Sequence, residues 1–253
     1  MIKFFRKIRH NLLSQGKTST YLKYAIGEII LVVIGILIAL QINNWSEQQK
    51  LLNQKNVLVN ALLSDAHTTN DRLAFSIAMA KEIDQKLSLL LNILNNEDQS
   101  IGIDSIQVYG AAIFQVANFR PALSTYETSL STGNVVLLEN NLLLDQYIQF
   151  KDSYDWFKLH QNISGDIVYL GSVWELRKKL GTAKTLITEL GDYPESYKPS
   201  NEEFIDLFYN KETYATFESM QWLIRNQLEA LNRAKTANDS ILRLLNDSKK
   251  NKE

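Results

Sequence analysis

QQKLLNQKNVLVNALLSDAHTTNDRLAFSIAMAKEIDQKLSLLLNILN, residues 48–95, contains neither glycine nor proline. Steps of 3.5 residues from Val59 fall on Val59, Leu63, Ala66, Asn70, Leu73, Ile77, Ala80, Asp84, Leu87, Leu91 and Leu94, and nine of these eleven are apolar. An apolar line at that interval over about five heptads marks one long helix, or two nearly collinear ones, packing a narrow seam against other helices. Asn70 and Asp84 interrupt it; either they set register or accept a polar partner, or a small change of register exposes them.

Upstream, YAIGEIILVVIGILIALQINNW runs from Tyr24 to Trp45. Helical steps of about 1.5 Å make this roughly 32 Å, which matches a hydrocarbon core of about 30 Å. One membrane span is expected, with Tyr21, Tyr24 and Trp45 marking its two interfaces. Residues 1–23 hold Lys3, Arg6, Lys7, Arg9, Lys17 and Lys23 and no acid, so they carry +6; with a net charge of −1 overall, the rest carries −7. Basic residues before the span put residues 1–23 in the cytoplasm and the body across the membrane. A basic head on an acidic body is not the profile of a nucleic-acid-binding protein, which needs a basic face on the folded domain.

A cleaved signal peptide is the rival reading, but the basic region is long and Leu37–Gln41 offers no small-x-small cleavage site, so an uncleaved anchor is expected. Ahead of it, Ile2, Phe4, Phe5, Ile8, Leu12 and Leu13 interleave with Lys3, Arg6, Lys7 and Arg9. That pattern reads as a basic amphipathic segment on the inner leaflet, or as an unstructured basic tail.

Glu28 sits four residues inside this span, on one helical stripe with Gly35 and Ala39. Small residues let a second helix approach closely, and an acid on their stripe would hydrogen-bond across the contact. Alternatively Glu28, about 6 Å from the inner interface, simply reaches headgroups or water. A single span makes no ion pathway by itself.

Beyond the first long helix, Asn96–Asp104 reads as a polar turn and Ser105–Phe114 as a short helix. Pro121 pushes Arg120 toward an extended conformation, Ser124 can N-cap a helix, and Gly133 can end it in the left-handed region. Leu143, Tyr147, Phe150, Tyr154 and Phe157 then repeat every three or four residues, and Ile163, Ile167, Leu170 and Trp174 are expected to continue that apolar face in a second long helix, kinked near Gly165. Gly181–Pro199 is the main loop, with a helical turn at Lys184–Leu190. Ser200 and Glu203 form a capping-box pattern, and a last long helix spans Lys211 to Asn246. The expected fold class is all-α: one N-terminal transmembrane helix continuing into an antiparallel bundle of long helices with short connecting ones. Its divisions are residues 1–23 (cytoplasmic segment), 24–45 (membrane helix), 46–246 (helical bundle across the membrane) and 247–253 (frayed tail).

Catalytic and metal-binding patterns are missing from the sequence. There is no cysteine, and His10, His67 and His160 stand singly, without an HExxH, HxH or carboxylate-rich calcium loop. Neither a GxSxG elbow nor a GxGxxG turn occurs. Glu202 and Glu203 fall at a helix start, where capping explains them. The aromatic stripe from Tyr147 to Trp174 reads as core, with a ligand pocket as the alternative. Neither catalytic activity nor a cofactor or metal is expected.

The segment YAIGEIILVVIGILIALQINNW, preceded by FFRKIRHNLL, resembles the N-terminus of an uncharacterised family of single-pass, N-terminally anchored membrane proteins of Bacteroidota, and TYETSLSTGNVVLLENNLL is similar to that family's second recurring segment. The resemblance implies a Gram-negative inner-membrane anchor with a periplasmic helical body, and it supplies no site residues. The expected partners are the lipid bilayer and either a second copy or another envelope protein. A ligand-binding, sensor-like body is the alternative; its signal would need a partner, because 23 cytoplasmic residues hold no output domain.

Overall fold

The computed structural model describes residues 18–96, 103–179 and 200–250. All regular structure among these residues is helical: α1 (Thr18–Asn95), α2 (Ile103–Gly110), a 3₁₀ turn at Ala111–Phe114, α3 (Ser124–Ser131), a second 3₁₀ turn at Asn134–Leu138, α4 (Asn141–Tyr169), α5 (Ser172–Lys179), α6 (Asn201–Phe208) and α7 (Lys211–Lys250). The chain divides into two compact units between Val57 and Leu58, within α1. Of the segment expected to be cytoplasmic, residues 1–23, the first seventeen lie outside the described residues, as do most of the 96–104 turn and the 184–190 turn.

In the second unit the seam read from the sequence is the buried face of α1. Val59, Leu63, Ala66, Leu73, Ala80, Leu87, Leu91 and Leu94 are buried, and Ile77 packs half-buried against them. Asp84 is half-buried and takes the Arg225 guanidinium at 2.8 Å, so one interruption of the seam is a cross-helix ion pair. α7 runs antiparallel to α1, with Tyr214 Oη on Asn95 at 2.8 Å, Gln221 Nε2 on Ser88 at 2.7 Å and Asn238 Nδ2 on the Ala66 carbonyl at 3.0 Å.

An extended strap, residues 115–123, leads from the first 3₁₀ turn to α3 and runs back along α1. Ser76 Oγ donates to the Asn118 carbonyl at 2.6 Å and Arg72 to the Arg120 carbonyl at 3.0 Å. Thr69 Oγ1 both donates to the Ala122 carbonyl (3.3 Å) and accepts from its N–H (2.9 Å). The Thr125 N–H donates to Asp65 at 3.1 Å. Two extended residues advance about 6.6 Å and three to four helical ones about 5 to 6 Å, so the two elements stay in register. From the other side, Gln161 of α4 donates to the Ala117 carbonyl at 3.0 Å. Phe119 points into the bundle, edge-on to Phe150, Tyr154 and Phe157 with centroids 5.7–6.4 Å apart.

Several sequence expectations change. Ser124 is the first helical residue of α3 and makes no side-chain cap; Asp65, sixty residues away in sequence, supplies the acceptor at that helix start. Gly133 does adopt φ +75°, as the end of α3 requires. α4 passes through Gly165 and breaks instead at Leu170–Gly171, where the Leu170 N–H still reaches the Asp166 carbonyl at 2.9 Å. The apolar face of α4 does not continue as expected: His160, Ser164 and Val168 occupy the buried positions, while Ile163, Leu170 and Trp174 are exposed. The Ser200–Glu203 capping box forms with both bonds, at 3.2 and 2.8 Å.

Thr69→Val keeps the shape of the side chain but removes both strap bonds, so it is expected to cost about 1–3 kcal/mol, read from the denaturation midpoint of the full-length protein. The neighbouring Thr68 hydroxyl bonds only the Ser64 carbonyl of its own helix, and Thr68→Val should stay within about 0.5 kcal/mol.

Candidate membrane span and association surfaces

α1 is long and apolar enough to cross a membrane, and none of its most apolar window is buried within the chain. From Leu22 to Trp45, fourteen large apolar side chains are between 47% and 71% exposed. Burying each one is worth about 1.5–3 kcal/mol relative to leaving it in water, so the set calls for an apolar surrounding. Gly35 is open, with nothing within 4 Å of where a Cβ would stand, and Ala39 is exposed on the same stripe. Glu28 is half-buried at the start of that stripe. Trp45 is exposed, whereas the side chains of Tyr21 and Tyr24 lie outside the described residues. Glu28 makes an interaction of its own within the structure, while the space over Gly35 is open.

The elbow formed by the strap, α3 and the second 3₁₀ turn covers one end of the bundle. Tyr126 and Tyr147 stack with centroids 3.9 Å apart and planes 6° from parallel. Burial, and then the nearby Asp65 carboxylate, push the Tyr147 phenol well above its ordinary range; burial also raises Tyr126. A shallow groove beside them is lined by Leu58, Ser124, Thr125, Thr128, Ser129, Thr132 and Asn134. The hydroxyls of Ser129 and Thr132 are engaged by carbonyls of α3 itself, at 2.7 and 2.8 Å.

A third surface lies where α4 meets α7. Two apolar clusters fill the bundle, one around Leu62, Phe150, Phe157 and Leu231, the other around Leu87, Ile113, Phe208 and Phe217. Between them α4 and α7 meet through polar groups: Gln227 Nε2 donates to Ser164 Oγ at 2.7 Å and to the His160 carbonyl at 3.2 Å, and its buried Oε1 has no partner among the described residues. His160 is buried with Nδ1 2.9 Å from the Trp156 carbonyl, a local helical contact and not a ligand set. His67 is exposed on α1, and the described residues contain no cluster of three or more metal-binding side chains.

Residues 28–164, more than half of the chain, match a family of unknown function, DUF6090. The chain belongs to that family. No curated protein and no solved structure matches it. The DUF6090 match begins at Glu28 inside the apolar helix, takes in the strap and the elbow, and stops at Ser164; α7, which completes the bundle core, lies beyond it. Sequence reasoning did not single out the outward side chains Trp156, Leu159 and Trp222. The signal was available: Trp222 is two residues before the core Ile224, and Leu159 two after the core Phe157, so each falls off its helix's buried face.

The folded state holds Tyr147 neutral above the pH at which the unfolded chain ionises near 10. Its contribution to stability is therefore present below about pH 10 and lost as pH rises further. Denaturation midpoints measured from about pH 8 to 11 should fall at the alkaline end, and Tyr147→Phe should flatten that fall.

Proposed function

We propose that the protein is a single-pass protein of a Gram-negative inner membrane, with a cytoplasmic N-terminus and a periplasmic helical body, that acts by association with itself or another envelope protein and not by catalysis. The fourteen exposed apolar side chains from Leu22 to Trp45 carry this reading, because only lipid or other membrane helices can cover such a run. The orientation rests on the six basic residues before the span. Gly35 and Ala39 leave room for a close helix contact, and Glu28 lies on the same stripe, where a carboxylate can also hydrogen-bond across such a contact. The body favours association: its core is filled by its own side chains, and in the hydroxyl-lined groove beside α3 Ser129 and Thr132 are engaged by carbonyls of that helix.

The chain has no native cysteine, so topology can be read from single introduced ones. Ser46→Cys should react with a membrane-impermeant thiol reagent in intact spheroplasts and Ser14→Cys should not; the reverse labelling overturns the orientation. Gly35→Leu should lower the oligomeric mass seen by native mass spectrometry after gentle extraction, and an unchanged mass would remove the Glu28–Gly35–Ala39 contact.

A further inference from the structure

The displacement of α4's aliphatic residues from the core builds a face of its own. Ile148, Asp152, Asp155, Trp156, Leu159, Ile163, Asp166 and Leu170 recur every one to four residues, fall on one side of the helix, and are all exposed. Trp156 is 46% and Trp222 60% exposed, and the buried His160 ring touches both indoles, with centroids 4.5 and 5.6 Å away. Next to them a groove of about 540 Å³ is lined by Ile163, Ile167, Glu218, Ser219, Trp222 and Leu223. Large apolar side chains flanking a groove on a soluble surface mark a docking site.

The charge on this face is of one sign. Among the described residues, Asp145, Asp152, Asp155, Asp166 and Glu218 take part in no ion pair, whereas Glu229 and Asp239 on α7 are neutralised by Arg233 and Lys235. Lys151 and Lys158, the cations of α4, lie about 100° round the helix from the middle of the stripe. A second copy related by a two-fold axis would set these carboxylates against their own images, and an anionic lipid surface would repel them.

We infer that this face binds an amphipathic helix of a partner protein that carries Lys or Arg beside its apolar stripe. The apolar side enters the groove at Trp222, beside Trp156, and the cations meet Asp152, Asp155, Asp166 and Glu218. The inference rests on the association reading above and names the chemistry of the partner, at a surface separate from the membrane stripe.

The test uses full-length protein in zwitterionic lipid nanodiscs and two labelled 18-residue helical peptides, one of Leu and Lys in amphipathic order, the other with Glu in place of every Lys. Fluorescence anisotropy should show the Lys peptide binding at least about tenfold more tightly than the Glu peptide, a preference that weakens with added salt. Asp152→Lys with Asp155→Lys, both exposed, should reverse the preference, and Trp222→Ala should weaken binding of the Lys peptide several-fold; a circular dichroism melt confirms that each variant is folded. Equal affinity for the two peptides, no response to charge reversal, or equal binding to discs without protein overturns the inference. So does a dimer in discs that the charge reversal dissolves, because a second copy would then occupy the face. The peptide readout does not depend on Gly35, so failure of the membrane contact and failure of this site are distinguishable.

Discussion

An extended strap cannot satisfy its own backbone, and that constraint organises the bundle. Residues 115–123 make no ladder of their own, so their carbonyls and N–H groups need donors and acceptors from neighbours. α1 supplies them from Ser76, Arg72 and Thr69, and Asp65, next on the same helix face, takes the Thr125 N–H where the strap enters α3. α4 supplies Gln161 from the opposite side. Because the strap carries the chain back along α1 before α4 begins, α4 runs in the same direction as α1, and α7 closes the bundle antiparallel to both. Phe119 fastens the middle of the strap by entering the aromatic cluster of α4. Thr69 and Ser76 are polar residues on a buried helix face, and their burial follows from this role.

Between the two apolar halves of the body, the core side of α4 turns polar. His160 and Ser164 meet Gln227 there, and Asp84 meets Arg225 at the neighbouring contact of α1 with α7. Polar groups in the core positions leave the aliphatic residues of this part of α4 on the outside, beside the unpaired aspartates. The same sequence feature thus interrupts the core and creates the exposed tryptophan face. A polar layer of this kind also fixes register, since sliding α7 by one turn would leave Gln227 and Asn238 buried without their partners.

Much of this was legible from the chain. The 3.5-residue seam of α1 is decided by local periodicity, and its apolar positions are buried. Gly133 and the Ser200–Glu203 box work within one turn of chain, which is why sequence spacing finds them. What the spacing could not supply involves distant residues. Ser124 looks like a cap, yet Asp65 takes that role, because the strap delivers the start of α3 to α1. Gly165 looks like a kink, but α4 continues through it to Tyr169, with Ser164 and Val168 buried on either side of the glycine. Ile163 and Leu170 fit an apolar period on paper; only the position of α7 decides that His160 and Ser164 are the buried choice. At Glu28, Gly35 and Ala39 the sequence specifies a stripe and its small residues, because helical spacing alone sets which residues share a face.

The membrane assignment can be tested within one helix, because α1 has the same backbone hydrogen bonding on both sides of Trp45 while its surroundings should differ. Residues 24–45 should be covered by lipid; residues 47–57 are a helix with largely exposed side chains. Hydrogen–deuterium exchange followed by mass spectrometry, on the full-length protein in nanodiscs, compares the two stretches directly. Lipid cover requires residues 24–45 to exchange far more slowly than residues 47–57. Equal exchange in the two stretches would contradict a membrane span.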